Sequence, residues 1–535
     1  MGLYCATSVA LHVSTIYHIP TNWTVIIMHL ITRYVRMLLT VVALMASAFS
    51  FFALSIANGA VITNDVFFKD TSGNPIYSQG GGVFKFGSKY YWYGVKYNGA
   101  VTYYNNPTGK NSDSSFNAVT CYSSTDLVSW KFESNVLTAS TSGLSGISWF
   151  GRMGVVYNSN TSTYVLMAQC AYTNGTAGEF FATCSTPTGN FAFNNVQYPV
   201  PGVVNNTTGD QTVFTDTDGT SYLVCSSSSG RSNWYVARVR PSDSLAIETA
   251  VRIGGGTGRE GNCMFKYNGR YYFCSSDLHG WNASHCYVIS STSIQGTYSS
   301  ETVMNNTDLD FCHVTQTGFF VTVTGTSGTV VIFCGDRWSD FAGNGIGYNQ
   351  WCPVTFSGTT PIFNSVTKWD LNASAGTWSV AAGNNYILNP SYEADRVSQT
   401  ALAGWSNWTN LSATPYSNKS GGHTGNWSAQ HSYTAAYQAS THQIVKGPNG
   451  AALPSGTYTL TCWVKSSGGQ PTCQIFVKSF GGTEIDSSIN TSISSWTKVT
   501  ISNINVTNGQ ADVGLWSIAN ANQWAIVDDW QLTKN

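Results

Sequence analysis

Five segments of the chain repeat one pattern of apolar and polar positions. Each reads as an apolar strand, a turn rich in Gly, Asn or Asp, and a second apolar strand, which is the pattern of a β-hairpin. The segments are GGGVFKFGSKYYWYG from Gly80, RMGVVYNSNTSTYVLMA from Arg152, DQTVFTDTDGTSYLVCSS from Asp210, EGNCMFKYNGRYYFCSS from Glu260 and QTGFFVTVTGTSGTVVIFCGD from Gln316. Short β-meanders repeated on this scale predict a five-bladed β-propeller. A β-sandwich is the alternative, but it would not repeat one hairpin five times.

The repeat also predicts where the polar residues meet. In a propeller the first strand of each blade lines the central channel, so the residue at its entry faces the axis. The residue three positions before the first apolar pair is, in order, Gly80, Arg152, Asp210, Glu260 and Gln316. We therefore expect these five positions to surround one funnel. The alternative is that each residue caps its own strand by bonding backbone N–H groups.

Beyond residue 385 the pattern changes. In TYTLTCWVK (457–465) and CQIFVK (473–478) apolar residues alternate with polar ones, which is typical of half-buried strands. We therefore expect an N-terminal extension (1–60), a propeller (61–385) and a separate C-terminal module (386–535). Cys462 and Cys473 could pair across a hairpin or remain two buried thiols.

Composition and charge exclude some classes of partner. Charged residues make up 10% of the chain and the formal net charge is −1, so there is no basic surface for nucleic acid and no polybasic membrane signal. Aromatic residues make up 14%. Most are expected to pack within sheets, and the others could stack on sugar rings.

The N-terminus has the layout of a secretory signal peptide. Arg33 and Arg36 precede an uncharged run from Met37 to Ala57, followed by small residues. We expect translation to start at Met37 and the mature protein to be secreted without a membrane anchor; the alternative is an uncleaved anchor, because the run is about long enough to span a bilayer. Twelve cysteines follow this region, and in an exported protein they permit disulfides. N-glycosylation acceptor sites agree with export: Asn160, Asn174, Asn206, Asn282, Asn372, Asn407, Asn426 and Asn505.

Several motifs together carry a family resemblance. Asp210 in GDQTVFTDTDGTSYLV, Glu260 in REGNCMFKYNGRYYF and CYSSTDLVSW (121–130) resemble the five-bladed propeller hydrolases of glycoside hydrolase family 43 over residues 61–385. Other motifs resemble the family's exo-β-1,3-galactanase branch: SQGGGVFKFGSKYYWYG (78–94), HGW (279–281), HVTQTGFF (313–320), CGDRW (334–338) and KWDLNASAGTW (368–378). The resemblance implies an inverting, exo-acting hydrolase of plant-type polysaccharide, foremost β-1,3-galactan.

The resemblance also implies roles for the polar residues. Glu260 matches the general acid, Asp210 the residue that orients the acid and tunes its pKa, and Gln316 an amide that positions the attacking water. An acid must hold its proton near the working pH, and an ionised carboxylate nearby raises its pKa. The expected sugar contacts are Gly80, Arg152, Trp281, Asp336, Arg337 and Trp338, and no metal or cofactor is expected at this site.

Three positions depart from the family pattern. Gly80 stands where the wider family has its base aspartate, so Asp308, Asp310 or Asp336 could serve as the base instead of Gln316. Val95 and Gly151 stand where members of the branch tend to have Glu, which would bind sugar hydroxyls. The alternatives are therefore an α-L-arabinofuranosidase or galactofuranosidase, or a sugar-binding propeller that has lost hydrolysis.

The ends of the C-terminal region resemble those of jelly-roll carbohydrate-binding modules, which are β-sandwiches. The matching segments are NYILNPSYEADRVSQTALAGWSNWT (385–409) and WAIVDDWQLTK (524–534). The resemblance implies a structural calcium near Asp528 and Asp529. The candidate sugar platforms, for which core packing is the alternative, are Trp405, Trp408, Trp427 and Trp463. We expect a monomer whose partner is a polysaccharide or oligosaccharide.

Overall fold

A computed structural model describes residues 60–107, 111, 113–280, 282–338 and 347–535. The predicted signal peptide, the start at Met37 and Trp281 lie outside these residues. In the described chain, antiparallel strands are by far the most common element and helices are few, so the all-β prediction is confirmed. Within it, no helix is both long enough and apolar enough to cross a membrane.

Five four-stranded sheets follow the first strand, β1 (Ala60–Thr63), and in each of them the strands are hydrogen bonded in chain order. Sheet 1 contains β2 (Gln79–Phe86), β3 (Lys89–Tyr97), β4 (Phe116–Ser124) and β5 (Lys131–Thr138). Sheet 2 contains β6 (Ile147–Asn158), β7 (Thr163–Tyr172), β8 (Ala177–Cys184) and β9 (Ala192–Gln197). Sheet 3 contains β10 (Thr208–Thr215), β11 (Ser221–Ser227), β12 (Asn233–Arg238) and β13 (Val251–Gly255).

Sheets 4 and 5 continue the series. Sheet 4 contains β14 (Glu260–Tyr267), β15 (Arg270–Ser276), β16 (Tyr287–Ser291) and β17 (Thr302–Val303). Sheet 5 contains β18 (Gln316–Thr324), β19 (Thr329–Arg337), β20 (Tyr348–Ser357) and β21 (Thr360–Phe363). Two short helices lie beside these sheets, α1 (Asn98–Asn105) between β3 and β4, and α2 (Phe311–Val314) directly before β18.

The first strands of the five sheets contact one another in a cycle. β2 lies against β6, β6 against β10, β10 against β14, β14 against β18, and β18 against β2 again. The hairpins themselves follow from the local sequence, as in KYNGRYY, where Asn268 and Gly269 have φ angles of 48° and 74°. An Asn-Gly pair with positive φ makes the tight turn that joins β14 to β15.

A separate three-stranded sheet lies at the end of this part of the chain. β1 pairs with β22 (Lys368–Asn372), which pairs with β23 (Thr377–Val380). Beneath it, the buried rings of Trp92, Trp130 and Trp351 contact one another with centroids 4.8 to 5.9 Å apart. These tryptophans pack within the core, as expected for most of the aromatic residues.

The C-terminal region contains two five-stranded sheets that share one apolar cluster. Sheet 6 has the order β24-β27-β32-β29-β30 and sheet 7 the order β25-β26-β33-β28-β31. The strands are β24 (Ser406–Thr409), β25 (Tyr416–Ser420), β26 (Trp427–Ser432), β27 (Tyr437–Val445), β28 (Gly456–Ser466), β29 (Thr472–Lys478), β30 (Ile485–Ser488), β31 (Ile493–Val506), β32 (Ala511–Ala519) and β33 (Trp524–Lys534). Three 3₁₀ turns complete the described elements: Val204–Asn206, Glu393–Asp395 and Pro448–Gly450.

Of the two alternatives for Cys462 and Cys473, the pair across one hairpin is wrong. Cys462 lies on β28 in sheet 7 and Cys473 lies on β29 in sheet 6, because the chain crosses between the two sheets at residues 467–471. Both are buried free thiols, which was the other reading of the pattern. All twelve cysteines among the described residues are free, so the permitted disulfides do not form there.

The four candidate platforms differ in exposure. Trp405 is buried against the rings of Tyr392 and Trp530, so it is a core residue. Trp427 and Trp463 are half-buried. Trp408 is 48% exposed and stacks on Trp516 with ring centroids 5.7 Å apart. Of the four, Trp408 therefore offers the most ring surface to a ligand.

Candidate active site

The five residues predicted to face the axis line one pocket of about 390 Å³. It lies where the first strands of sheets 1 to 5 meet. The side chains that join them in its wall include Tyr97, Trp149, Gln169, Arg231 and Trp338, and the backbone of Gly280 adds to it. The structure thus brings together Gly80, Arg152, Asp210, Glu260 and Gln316 from five distant parts of the sequence.

In each of the five first strands, the pairing register shifts near the start of the strand, close to the residue that lines the pocket. The pairing register shifts between Gly151 and Met153 in β6, and between Glu260 and Cys263 in β14. β2, β10 and β18 shift at equivalent places. Such bulges re-aim a side chain, and they require small or strained residues. Gly261 is one example, because its φ is 59° and a Cβ there would lie 2.4 Å from the carbonyl oxygen of Thr317.

Arg152 is the buried cation at the centre of the site, with only 4% of its surface exposed. Its guanidinium lies 3.0 Å from Asp210 Oδ2 and 3.2 Å from Asp336 Oδ2, and it donates to Gln316 Oε1 at 2.8 Å. A buried charge is tolerated only when it is paired and hydrogen bonded, and breaking such a pair costs about 3–5 kcal/mol. Arg152 therefore fixes the positions of three other groups.

Glu260 and Asp210 lie on either side of a second arginine. Arg231 Nη1 lies 2.9 Å from Asp210 Oδ1 and 3.3 Å from Glu260 Oε2. The Gly261 N–H also donates to Asp210 Oδ2 at 3.0 Å. The two carboxyl groups thus share one environment but have different numbers of cationic neighbours.

This environment separates their pKa values. Burial, and then the charge of Asp210, raises the pKa of Glu260 to about 7. Burial also opposes ionisation of Asp210, but Arg152 and Arg231 outweigh it and lower the Asp210 pKa. Below about pH 7, a mostly protonated carboxylic acid therefore lies beside an ionised carboxylate, which is the arrangement that general acid catalysis requires.

The amide of Gln316 is fixed by three partners. Its Oε1 accepts hydrogen bonds from Arg152 and from Trp338 Nε1, each at 2.8 Å, and its Nε2 donates to Glu260 Oε1 at 2.8 Å. An inverting site needs about 6.5–9.5 Å between the acid and the group that activates water. A sugar bound for inversion would therefore have to break the hydrogen bond between Gln316 and Glu260.

The other carboxylates that could act as the base lie in different surroundings. Asp336 is buried below the pocket, where it accepts hydrogen bonds from the Gly80 N–H at 3.3 Å and from Asn349 at 3.0 Å. Burial raises its pKa to about 6, against the opposing charge of Arg152. Asp310 instead bonds Ser365 and the His313 N–H, and Asp308 is exposed; neither lines the pocket. Only Asp336 of these three alternatives for the base lies at the site.

The predicted sugar contacts are only partly brought to the pocket. Gly80, Arg152 and Trp338 line it, whereas Asp336 contacts it through Arg152 and Gly80. Among the described residues, Arg337 lies outside the pocket wall because its guanidinium turns to Asp65, 3.1 Å away. A contact of Arg337 with sugar stays a prediction.

The sequence patterns did not predict two features of the pocket, which are Arg231 and the stacked rings of Tyr97 and Trp149. Arg231 lies between β11 and β12 with φ of 50°, where no periodic pattern marks it. Tyr97 and Trp149 stack with centroids 5.8 Å apart. A Cβ at Gly151 would lie 2.9 Å from the Tyr97 hydroxyl, so these rings fill the space where the family resemblance implied a glutamate.

The residues near the expected calcium are already bonded to donors. Asp528 Oδ2 accepts from the His423 N–H at 2.6 Å, and Asp528 Oδ1 from the Asp529 N–H at 2.7 Å. Asp529 bonds the His423 ring and the Thr424 hydroxyl. In the described part of the chain, no group of three or more His, Cys, Asp or Glu is arranged to hold a metal. These donors would have to turn away before calcium could bind, and calcium binding stays a prediction.

Comparison with known proteins agrees with this chemistry. Residues 87–345 match the model of Glycosyl hydrolases family 43. This part of the chain is a family 43 glycoside hydrolase domain.

Solved structures show the same fold. The chain is similar to an exo-β-1,3-galactanase from Phanerochaete chrysosporium, solved with β-1,3-galactotriose, with 21% identity and a TM-score of 0.54 over 88% of this chain and 100% of the other. An exo-β-1,3-galactanase from Clostridium thermocellum is similar with 22% identity and a TM-score of 0.54, over 89% and 100%. At this identity the likeness shows the fold of the family 43 domain, a propeller.

A curated relative matches a shorter stretch. It is a 1,6-α-glucosyltransferase from Sporosarcina globispora, 30% identical over 180 residues. The match spans 32% of this chain and 13% of that relative's length.

The pKa of Glu260 predicts the pH dependence of the family 43 domain. We expect kcat/KM to fall above about pH 7, because the acid then loses its proton. Arg231 favours the ionised form of Glu260, so Arg231→Met should move this fall to higher pH. The measurement is kcat/KM between about pH 4 and 9. An unchanged alkaline limb in Arg231→Met would mean that a group other than Glu260 is titrating.

Proposed function

We propose that the protein is a secreted, inverting, exo-acting glycosidase whose substrate is β-1,3-galactan. The observation that carries the proposal is the pair of Glu260 and Asp210, which line a single pocket and have pKa values shifted in opposite directions. The solved relatives named above are exo-β-1,3-galactanases, which supports the choice of substrate.

The proposal includes an architecture. Sheets 1 to 5 are the blades of a five-bladed propeller, because their first strands contact one another in a cycle and their entry residues meet at one pocket. Sheets 6 and 7 form a β-sandwich around their shared apolar cluster. The domain boundaries near residues 60 and 385 follow from the same division.

The chemistry follows from the positions of the side chains. Glu260 gives its proton to the glycosidic oxygen as the bond to the leaving sugar breaks. Asp210 stays ionised beside Arg152 and Arg231, and its charge keeps the proton on Glu260 until that moment. Gln316, released from Glu260 by the bound sugar, orients a water on the opposite face of the ring. The water oxygen bonds to the anomeric carbon as the bond to the leaving sugar breaks, the proton that this water loses passes to solvent, and the configuration at that carbon inverts.

Two observations favour a second candidate function, which is either a different glycosidase activity or sugar binding without hydrolysis. Gly80 has no side chain to act as a base, and Tyr97 and Trp149 occupy the space next to Gly151. The missing base fits a propeller that binds sugar without cleaving it, and the missing glutamate at Gly151 fits an arabinofuranosidase or galactofuranosidase with the same acid.

The deciding experiment is hydrolysis by the purified full chain. The panel contains β-1,3-galacto-oligosaccharides, arabinan, galactofuranosides and β-1,4-galactan. We expect galactose to be released one unit at a time from the β-1,3 substrates, and NMR at early times to show the α-anomer. Release of arabinose alone, or of the β-anomer, contradicts the proposal. Sugar binding with no hydrolysis of any substrate supports the sugar-binding propeller.

The C-terminal region is proposed to bind polysaccharide through Trp408. Its ring is 48% exposed, and the stacked Trp516 ring supports it from the neighbouring part of sheet 6. Trp408→Ala in the full chain should weaken retention on galactan in affinity electrophoresis by about tenfold, the scale of one lost aromatic contact. Tyr157→Ala is the matched control, because Tyr157 is equally exposed at 48% but lies on sheet 2. Equal retention of the two variants would remove Trp408 from this role.

A further inference from the structure

A side chain from the C-terminal region reaches the back of the active site. Arg396 follows the 3₁₀ turn Glu393–Asp395 in a left-handed conformation, with φ of 64°. Its Nη1 donates to the Ala283 carbonyl at 2.8 Å and lies 3.3 Å from Asp277 Oδ2. Its guanidinium carbon lies 4.4 Å from the centre of the Phe311 ring. One arginine thus contacts two separate segments of the family 43 domain.

The first of these segments continues the strand that holds the acid. Ser276 pairs with Glu260 across β14 and β15, and its hydroxyl donates to the Glu260 carbonyl at 3.0 Å. Asp277 follows directly, and its N–H donates to Ser284 Oγ at 2.8 Å. The Ser284 N–H in turn donates to the Thr315 carbonyl, next to Gln316. Asp277 and Ser284 therefore connect the backbone beside the acid to the backbone beside Gln316.

The second segment is the turn directly before Gln316. Phe311, Cys312, His313 and Val314, which form α2, all have φ between 48° and 58°. Left-handed backbone is unfavourable for residues with a Cβ, so neighbouring contacts must hold it. Phe311 packs under Arg396, and Val314 forms an apolar cluster with Ala283 and Ala394 of the C-terminal region. Contacts from the C-terminal region thus support the strained turn.

We propose that Arg396 is a positioning residue of the active site: by neutralising Asp277 and covering Phe311, it fixes the two segments that place Glu260 and Gln316. It acts through Asp277 and Phe311 and does not itself line the pocket. The C-terminal region then has a second task besides the proposed sugar binding, which is to complete the catalytic site. The kinetic part of this inference rests on the proposed function.

The inference can be tested through the pKa of Glu260, because Arg396 and Asp277 carry opposite charges near it. The groups that face Glu260 are Asp210, Arg152, Arg231 and Asp277, together with the Gln316 amide. Asp277 favours the protonated acid, and Arg396 offsets its charge. Burial, and then the charge of Arg396, lowers the pKa of His279, which lies near the same pair. His279 is thus uncharged near neutral pH. The charges that act on Glu260 from this side are therefore those of Arg396 and Asp277.

The experiment compares four variants of the full chain. Arg396→Gln leaves Asp277 unpaired, so we expect the alkaline limb of kcat/KM to move to higher pH. Asp277→Asn removes the same charge, so we expect the limb to move to lower pH. The double variant should lie near the parent. We also expect kcat of Arg396→Gln to fall about tenfold or more with little change in KM, because small displacements of catalytic groups act on the transition state. Arg240→Gln, which breaks an exposed pair with Asp243, is the matched control.

A second readout needs no substrate. Carbon-13 labelling of glutamate side chains gives the Glu260 titration by NMR, assigned through the resonance that Glu260→Gln removes. The same opposite shifts are expected there, even if no glycoside is hydrolysed, so failure of the proposed function would not hide the result. Identical Glu260 titrations in the parent, Arg396→Gln and Asp277→Asn would overturn the inference. A kcat loss in Arg396→Gln matched by Arg240→Gln would also overturn it.

Discussion

Glu260→Gln is expected to lower kcat on an unactivated β-1,3-galactoside by at least about two orders of magnitude, the scale of a lost general acid. The amide has nearly the same shape as the protonated acid and can still accept the hydrogen bond from Gln316, so the fold should persist. It cannot give a proton to the leaving oxygen. The loss should be much smaller on an aryl galactoside with an acidic leaving group, since that group departs without a proton.

The control for this variant is Glu133→Gln. Glu133 forms an ion pair with the exposed Lys131 at 3.0 Å, outside the pocket wall, so its replacement should leave kcat nearly unchanged. Near-normal turnover of the unactivated substrate by Glu260→Gln would remove Glu260 from the role of acid. Equal losses on both classes of substrate would show that the variant acts on something other than protonation of the leaving group.

Gln316→Gly should have the second large effect. We expect kcat to fall by about two orders of magnitude with little change in ground-state binding, because the water is ordered mainly in the transition state. Azide should restore turnover and give a glycosyl azide of inverted configuration, since a small anion fits the vacated space. The measurement is the rate with and without azide, together with the configuration of the product.

Asp336→Asn tests the competing assignment. Asp336 is the alternative base that lies at the site, but the Gly80 N–H, Asn349 and Arg152 occupy its oxygens. We expect Asp336→Asn to lower thermal stability through the loss of a buried partner of Arg152. If the folded Asp336→Asn protein is inactive while Gln316→Gly is nearly as active as the parent, the base is Asp336.

The repeated hairpins were readable in the sequence, and so was the meeting of their entry residues. Apolar alternation and turn chemistry are local, and the five hairpins share one spacing between the entry residue and the apolar pair. The glycines near those entries, such as Gly151 and Gly261, also marked the bulges, although their meaning is visible only once the strand register is known.

Contacts between loops that are far apart in the sequence could not be predicted from these local patterns. Arg231 reaches Asp210 and Glu260 from a loop with no periodic pattern, and Arg396 reaches Asp277 from another region of the chain. Alternation identified β28 and β29 as strands, but it does not encode which sheet a strand joins. That is why the sequence left open whether Cys462 and Cys473 share one hairpin.

The pairing of β1 with β22 has a consequence for how the chain folds. Ala60 pairs with Leu371, so nearly all of the five sheets must be synthesised before β1 finds its partner. Contacts of such high sequence separation form slowly, because the entropy of loop closure must be lost first. β1 therefore finds its partner late, and a nascent chain that stops before residue 368 leaves the N–H and C=O groups of β1 unpaired, which is a template for aggregation.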